Sequence, residues 1–516
     1  MEAKTNTKQE TIADTYARAV LKKYDGLPQK GKPTGKEWTV LAGLVLVRNG
    51  GETLPEAICI ATGNRCVGKS RQGGIGTVVD CHAEILVRRA FKRLLYEQLL
   101  LQVGCSDGHH SKGTAQFLTR GVNGKYSLTP GSTLHLVVSD TPCGDASIYP
   151  VSSSSLSTST TSSSTSSSTS SSTTSTSIST TTSTTTNTSS RENSTSSDMI
   201  SLLADDTVYK WTGAKPIVAS DDTREQQLQG ALRTKSSRSN ALAENCTDSM
   251  CCSDKLSLWC HVGLEGSFLS QFVNPMWLST IVLVLGHMDS TTREHARTAT
   301  QRALIDRFES VRSDLGDLSK VRRGTTSTTP VLLMGVVPSI RISSLLYSRC
   351  KFIVEQSNAG GDGGGGGGHL PPLLPPPSSS SSSSTTSSHD VSAPSHNTDD
   401  VVVEEPRPFK RRRVQKKKKL STPSGYAVVS TNGMHEVLVS AKGVLQGTTA
   451  SSSRSPSLIS KESFLQSFYV LCKEKKMNTQ NSYHDVKHEL NNSCYITKKK
   501  AFLKHDYLRN WKGSNL

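Results

Sequence analysis

The chain has 516 residues, with 60 Lys and Arg against 43 Asp and Glu, a formal net charge of +17. Apolar residues make up 34% and glycine adds 39 residues, a composition that excludes a collagen-like or wholly disordered chain. The longest apolar run, near Trp277, falls far short of the roughly 20 residues that span a bilayer. The first ten residues hold no apolar signal core. Twelve cysteines at irregular spacing do not form a secreted disulfide framework. These features predict an intracellular protein with mostly reduced thiols, and no membrane partner.

Taken in chain order, residues 39–47 are a short, nearly all-apolar run, as expected of a strand buried on both faces. Residues 57–61 form a second such run. Residues 83–101 have helical spacing, with Ile85, Leu86, Ala90, Leu94 and Leu95 on one side. Residues 134–138 predict another strand, ending at Ser139-Asp140-Thr141-Pro142, and 278–285 one more, with a helix after it over 292–308. Strands and helices in this alternation predict a layered α/β fold. Two stretches lack the apolar content to pack and are expected to be disordered: the Ser/Thr-rich run 152–197, and the Gly/Pro/Ser-rich and basic run 358–424.

Three short segments carry the chemistry: Asp80-Cys81-His82-Ala83-Glu84, Thr141-Pro142-Cys143-Gly144-Asp145-Ala146-Ser147, and Met250-Cys251-Cys252-Ser253-Asp254-Lys255. One His and two Cys supply three ligands and leave a fourth position open, the pattern of a catalytic zinc. A helix amino terminus, with its partial positive charge, favours the thiolate of Cys143. Glu84, two residues after His82, can reach zinc-bound water without being a ligand and shuttle its proton. Singly these motifs are weak: adjacent cysteines are usually packing residues. The zinc nucleobase deaminases carry H-x-E and then P-C-x-x-C, but Ala146 stands here where the second Cys would be, so the second thiolate must come from far downstream.

Together with Arg88-Arg89 and Trp259, these motifs resemble the adenosine deaminases that act on RNA, and within them the tRNA-specific branch. Tyr209-Lys-Trp-Thr-Gly-Ala-Lys-Pro216 is similar to a stretch typical of that branch, and Ser147 stands where the mRNA editors usually carry Arg. The resemblance runs from about Thr39 to Trp511. It implies a cytidine-deaminase-like core, a mixed sheet with helices on both faces, with a helical carboxy-terminal extension. On that basis the segments expected are 1–38 amino-terminal, 39–150, 201–357 and 425–516 deaminase, and 151–200 and 358–424 inserted. The implied activity is zinc-dependent deamination of adenosine to inosine in tRNA, at position 37 beside the anticodon of alanine tRNA. The alternatives are an editor of double-stranded RNA or an inactive RNA-binding relative. The implied zinc ligands are His82, Cys143 and Cys252, with Glu84 the proton shuttle. Cys252 is preferred over Cys251 because the family ligand directly precedes Ser-Asp-Lys.

The resemblance also implies a buried inositol hexakisphosphate. The matching positions are Arg65, Arg88, Arg89, Lys235, Lys255, Trp259, Lys461, Tyr483, Lys487, Tyr495, Lys499 and Trp511. A buried polyanion must be matched by many cations, because an unpaired buried charge is very costly. Leu258, Val79 and Arg65 depart from the family's Arg, Asn and Lys at their positions. Without the resemblance, the basic stretch 482–512 reads as a solvated helix face.

A net +17 suits a polyanionic partner. The run Lys410 to Lys419 reads as a nuclear-localisation or non-specific RNA-binding patch, which predicts a nuclear or cytoplasmic location. No double-stranded-RNA-binding module is expected in the 38 residues before the first strand, so the deaminase domain itself must choose a compact tRNA. No obligate protein partner is inferred.

Overall fold

In the computed structural model, the described residues are 11–104, 115–151, 209–210, 212, 214–217, 229–235, 247–311, 337–347, 422–448, 456–474, 482–490, 493–504, 508 and 511–512. All belong to one unit, Met1–Val354 with Ser421–Leu516; a second unit, Glu355–Leu420, contains no described residue. The Ser/Thr-rich run and the basic run 410–419 therefore lie outside the described residues.

The centre is an eight-stranded mixed sheet: β1 (Leu41–Val47), β2 (Glu56–Thr62), β3 (Thr133–Val138), β4 (Thr280–Val284), β5 (Ser339–Ser343), β6 (Tyr426–Thr431), β7 (His435–Val439) and β8 (Val444–Leu445). Their spatial order is β5-β4-β3-β1-β2-β6-β7-β8. The pairs β3–β4 and β4–β5 are parallel and the others antiparallel. Every residue of β1 and β4 is buried, because helices cover both faces, which is why these strands read as unbroken apolar runs.

One face carries helix α1 (Ile12–Asp25), whose Ala13, Ala17, Val20 and Tyr24 pack on Leu41, Val45, Val137 and Val282. Its amino terminus is capped by Thr11, whose side chain accepts from Asp14 N at 3.1 Å. A Cβ on Gly43 would lie 2.5 Å from Val20 Cγ2, so this glycine lets the helix sit down on β1. The alternate side chains Ala42, Leu44 and Leu46 face the other layer.

That second layer holds α2 (Ala83–Gln102), α3 (Cys252–Val262), α4 (Ser290–Leu304) and the carboxy-terminal α5 (Lys461–Glu474), α6 (Tyr483–Glu489) and α7 (Cys494–Lys504). Helix α2 is buried around most of its circumference, and its Arg93 and Glu97 form a buried ion pair at 2.9 Å. Among the described residues, no helix is long and apolar enough to cross a membrane.

The α/β layering and the helical carboxy-terminal extension are as expected. Within the segment expected as 1–38 amino-terminal, α1 covers a sheet face. At the end of the stretch 358–424, Thr422–Pro423 pair in parallel with Glu37–Trp38, and Ser424 N donates to Trp38 O at 2.8 Å. Backbone pairing at that point does not depend on the composition of the stretch before it.

Candidate metal centre

The three motifs meet at one point. Asp80–His82 is a short strand paired with Asn64–Cys66, and the chain turns directly from it into α2, with His82 as N-cap. The ring of His82 makes no capping bond and is left to face the thiols. Cys143 lies beyond the end of β3 on a turn whose Gly144 has φ +106°. A Cβ there would lie 2.1 Å from Cys251 Sγ, so only glycine lets the two loops touch. Ser147 closes this turn by donating to Pro142 O at 3.0 Å.

Cys252 is the first residue of α3, and its backbone N–H donates to Cys143 Sγ at 3.4 Å. The helix amino terminus that favours the Cys143 thiolate is thus that of α3, on the third motif. The chain after Cys143 makes only a turn of 3₁₀ helix, Asp145–Ser147. The thiol of Cys252 hydrogen-bonds Cys143 and, with His82 and Lys235 nearby, holds the Cys143 pKa well below its ordinary value against the effect of burial.

The ligand atoms of His82, Cys143 and Cys252 all lie within 4.8 Å of one another. His82 Nδ1 is 3.7 Å from Cys143 Sγ and 3.4 Å from Cys252 Sγ. One imidazole nitrogen and two thiols is a donor set suited to zinc, with a fourth position left open. Glu84 is buried, with Oε2 3.5 Å from Cys252 Sγ, and burial raises its pKa. Cys251 points elsewhere: its thiol donates to Asp254 Oδ2 at 2.8 Å, and burial pushes its pKa well up. A profile of the adenosine-deaminase (editase) domain matches residues 59–336, more than half of the sequence. The chain belongs to the adenosine-deaminase (editase) family.

Among relatives, this editase-family chain is 28% identical over 330 residues to tRNA-specific adenosine deaminase 1 of Drosophila melanogaster, covering 60% of the chain and 69% of that protein. It is 38% identical over 156 residues to tRNA-specific adenosine deaminase 1 of Schizosaccharomyces pombe, covering 29% of the chain and 38% of the relative. It is also 28% identical over 274 residues to the double-stranded RNA-specific editase Adar of Drosophila melanogaster, covering 52% and 33%. The chain thus spans little more than a third of the second relative and a third of the third.

Asp80, which opens the first motif and has no role assigned to it by the sequence, is the hub beside the His82–Cys143–Cys252 group of this editase-family chain. Its carboxylate accepts from Lys235 Nζ at 2.7 and 2.8 Å, Lys255 Nζ at 2.7 Å and Ser249 Oγ at 3.1 Å. Lys235 Nζ also donates to Cys252 Sγ at 3.2 Å. Lys235 and Lys255, expected among the polyphosphate ligands, therefore direct their ammonium groups to Asp80. Arg65, half-buried, donates to the O of exposed Pro423 at 2.7 Å. Trp511 packs half-buried against the core.

The other expected basic residues converge. Arg88 lies over the Trp259 ring at 4.4 Å and reaches Tyr495 Oη at 3.4 Å; Lys461 lies over the Tyr483 ring at 5.5 Å. Burial pulls the pKa of Arg89, Lys461 and Lys487 down, with Arg89 and Lys487 adding to the shift at Lys461. Lys499 falls to about 8, first through burial and then through Lys487 and Arg88. One guanidinium nitrogen of Arg89 is buried without a hydrogen-bond partner. Sequence reasoning misses Lys92, also depressed by burial, Arg88 and Arg89. Its place four residues after Arg88 on one helix face is the signal that finds it.

Proposed function

We propose that the chain hydrolyses adenosine to inosine and ammonia in tRNA, at position 37 beside the anticodon of alanine tRNA. The observation that carries this is the meeting of His82, Cys143 and Cys252 beside the buried carboxylate of Glu84. Held by these three residues, a zinc ion would supply the Lewis acidity that lowers the pKa of a water toward neutrality. Glu84 accepts the proton from the attacking water and delivers it toward the departing exocyclic nitrogen of a base splayed out of its loop. Lys235, between Asp80 and Cys252, holds positive charge against the Cys252 sulfur.

The tRNA substrate rests on the relatives named for it and on the segment Tyr209 to Pro216. In that segment Thr212 Oγ1 accepts from Gly144 N at 3.0 Å, and Lys210 Nζ donates to Asp140 Oδ1 at 2.8 Å. Thr212 thus lies against the Cys143 turn, with Lys210 beside Asp140, where the two can shape entry of the base.

Arg88, Arg89, Lys461, Lys487 and Lys499, with Trp259, Tyr483 and Tyr495, fit an inositol hexakisphosphate. Burial, and at Arg89, Lys461 and Lys499 the neighbouring cations, lower the pKa of Arg89, Lys461, Lys487 and Lys499, and one Arg89 guanidinium nitrogen is buried without a hydrogen-bond partner, as suits a site for an anion. A polyanion there would neutralise the mutual repulsion, and its binding would stabilise the folded chain.

The test is to incubate purified protein with total tRNA and sequence it for A-to-G changes. A change confined to position 37 of alanine tRNA is expected. No change in tRNA with metal-loaded protein, whether or not a double-stranded RNA incubated in parallel is edited, would overturn the tRNA reading.

A further inference from the structure

We propose that Arg302 and Arg307 are positioning residues that set the spacing of the two metal-binding thiols, through the buried carboxylates of Asp145 and Asp254. This rests on the reading of His82, Cys143 and Cys252 as metal ligands. Both thiol motifs have the form Cys-x-Asp: Cys143-Gly144-Asp145 and Cys252-Ser253-Asp254. Both aspartates have no exposed surface, and each meets an arginine from a single stretch of chain. Arg302 lies in the last turn of α4, and Arg307 in the next 3₁₀ turn, Asp306–Phe308.

On the Cys143 side, Arg302 Nε reaches Asp145 Oδ2 at 3.3 Å. Its Nη2 donates to Asp145 O at 3.1 Å and Ile148 O at 3.0 Å. The guanidinium thus binds both the side chain and the backbone of the turn that carries the thiol. On the Cys252 side, Arg307 Nη2 pairs with Asp254 Oδ1, and the other carboxylate oxygen accepts from Arg233 N at 3.1 Å and from Cys251 Sγ at 2.8 Å. Asp254 is therefore the point where α3's first turn is tied to its surroundings.

The two ties are also joined to each other. Gly230 N donates to Asp145 Oδ1 at 2.7 Å, while Gly230 O accepts from Arg307 Nη1 at 3.2 Å. Ser253 N donates to Cys143 O at 3.0 Å, linking the thiol turns directly. A charged pair in a dry interior tolerates little displacement, because separating it leaves an uncompensated charge. Residues that orient metal ligands without touching the metal commonly change its affinity by about 10–100-fold when replaced. Neither arginine reaches the ligand atoms, so each acts through its aspartate.

The experiment uses the full chain as wild type, Arg302→Met, Arg307→Met and Arg307→Lys. Arg297→Met is the control, an exposed α4 residue paired with Glu294. Zinc loss to a chelator and the cobalt(II) absorption bands, which report thiolate geometry, are read alongside thermal unfolding. Arg302→Met and Arg307→Met are expected to shift the cobalt bands and to lose zinc about 10–100-fold faster. Arg307→Lys should recover part of the loss, and Arg297→Met should match wild type. Should Arg307→Met fail to fold, Arg302→Met, at a partly exposed position, decides. Folded Arg302→Met with wild-type bands and wild-type zinc loss overturns the proposal while leaving the metal reading intact. A wild-type chain that takes up neither metal overturns the metal reading, and this proposal with it.

Discussion

Lys235 Nζ stands 2.7 Å from Asp80 Oδ2 and on its other side reaches Cys252. Burial alone would raise the Asp80 pKa, but Lys235 and Lys255 outweigh it and hold the carboxyl well below the usual range. A carboxyl depressed in the folded state contributes stability that is present above its unfolded pKa of about 3.9 and lost as pH falls below it. Denaturant unfolding should therefore show wild-type stability falling steeply below about pH 4. Asp80→Asn should be weaker by about 3–5 kcal/mol at pH 7, with a flatter acid limb. Equal acid limbs in the two proteins would exclude the role.

Cys252→Ala should abolish metal binding, measured by elemental analysis. Cys251→Ala should keep it within a few-fold, because the Cys251 thiol is bonded to Asp254 and lies outside the ligand cluster. The reverse result would exchange the two thiols.

Glu84→Ala should retain metal and bind tRNA with near wild-type affinity, while inosine formation falls by about 10²–10⁴-fold or more. The readouts are metal content, a binding titration and single-turnover deamination. Loss of metal with activity would make Glu84 a ligand.

The basic group predicts an unusual pH response. Lys499 has its pKa lowered from 10.5 to about 8. A lysine depressed in the folded state makes the unfolded chain bind more protons between those values, so stability rises with pH across that window. Protein stripped of polyphosphate should melt at higher temperature at pH 10 than at pH 8. Adding inositol hexakisphosphate should raise stability at pH 8 and reduce that difference. Phosphate analysis of acid-denatured protein checks retention directly: active enzyme releasing none would end the assignment. Arg89→Glu and Lys487→Glu should yield insoluble protein.

Gly43→Ala should destabilise the fold by about 1–3 kcal/mol, since the added methyl would meet Val20 of α1 within 2.5 Å. Unfolding in urea measures it. The paired variant Gly43→Ala with Val20→Ala should recover part of the loss. An unchanged single variant would show that α1 is not held against β1.

The sequence by itself determined the elements whose burial pattern is local. The all-apolar runs that became β1 and β4 and the helical spacing of α2 each state their own structure, because period and burial are written residue by residue. The motifs also named His82 and Cys143 and narrowed the second thiol to Cys251 or Cys252, with the family resemblance favouring Cys252, since the ligand chemistry resides in the residue types. Helix α1 was legible but unread: Thr11 capping Asp14, with Ala13, Ala17, Val20 and Tyr24 on one face, is a complete amphipathic signature. Tertiary structure alone decided which helix amino terminus faces Cys143 and that Lys235 and Lys255 turn to Asp80, and it brings Cys252, the thiol the resemblance favours, into the cluster. The choice between Cys251 and Cys252 depends on Asp254 and the start of α3. The partners of Asp80 arrive from 155 and 175 residues away. Charges and thiols act over a few ångströms of space, and spacing along the chain does not encode which distant groups fill that space.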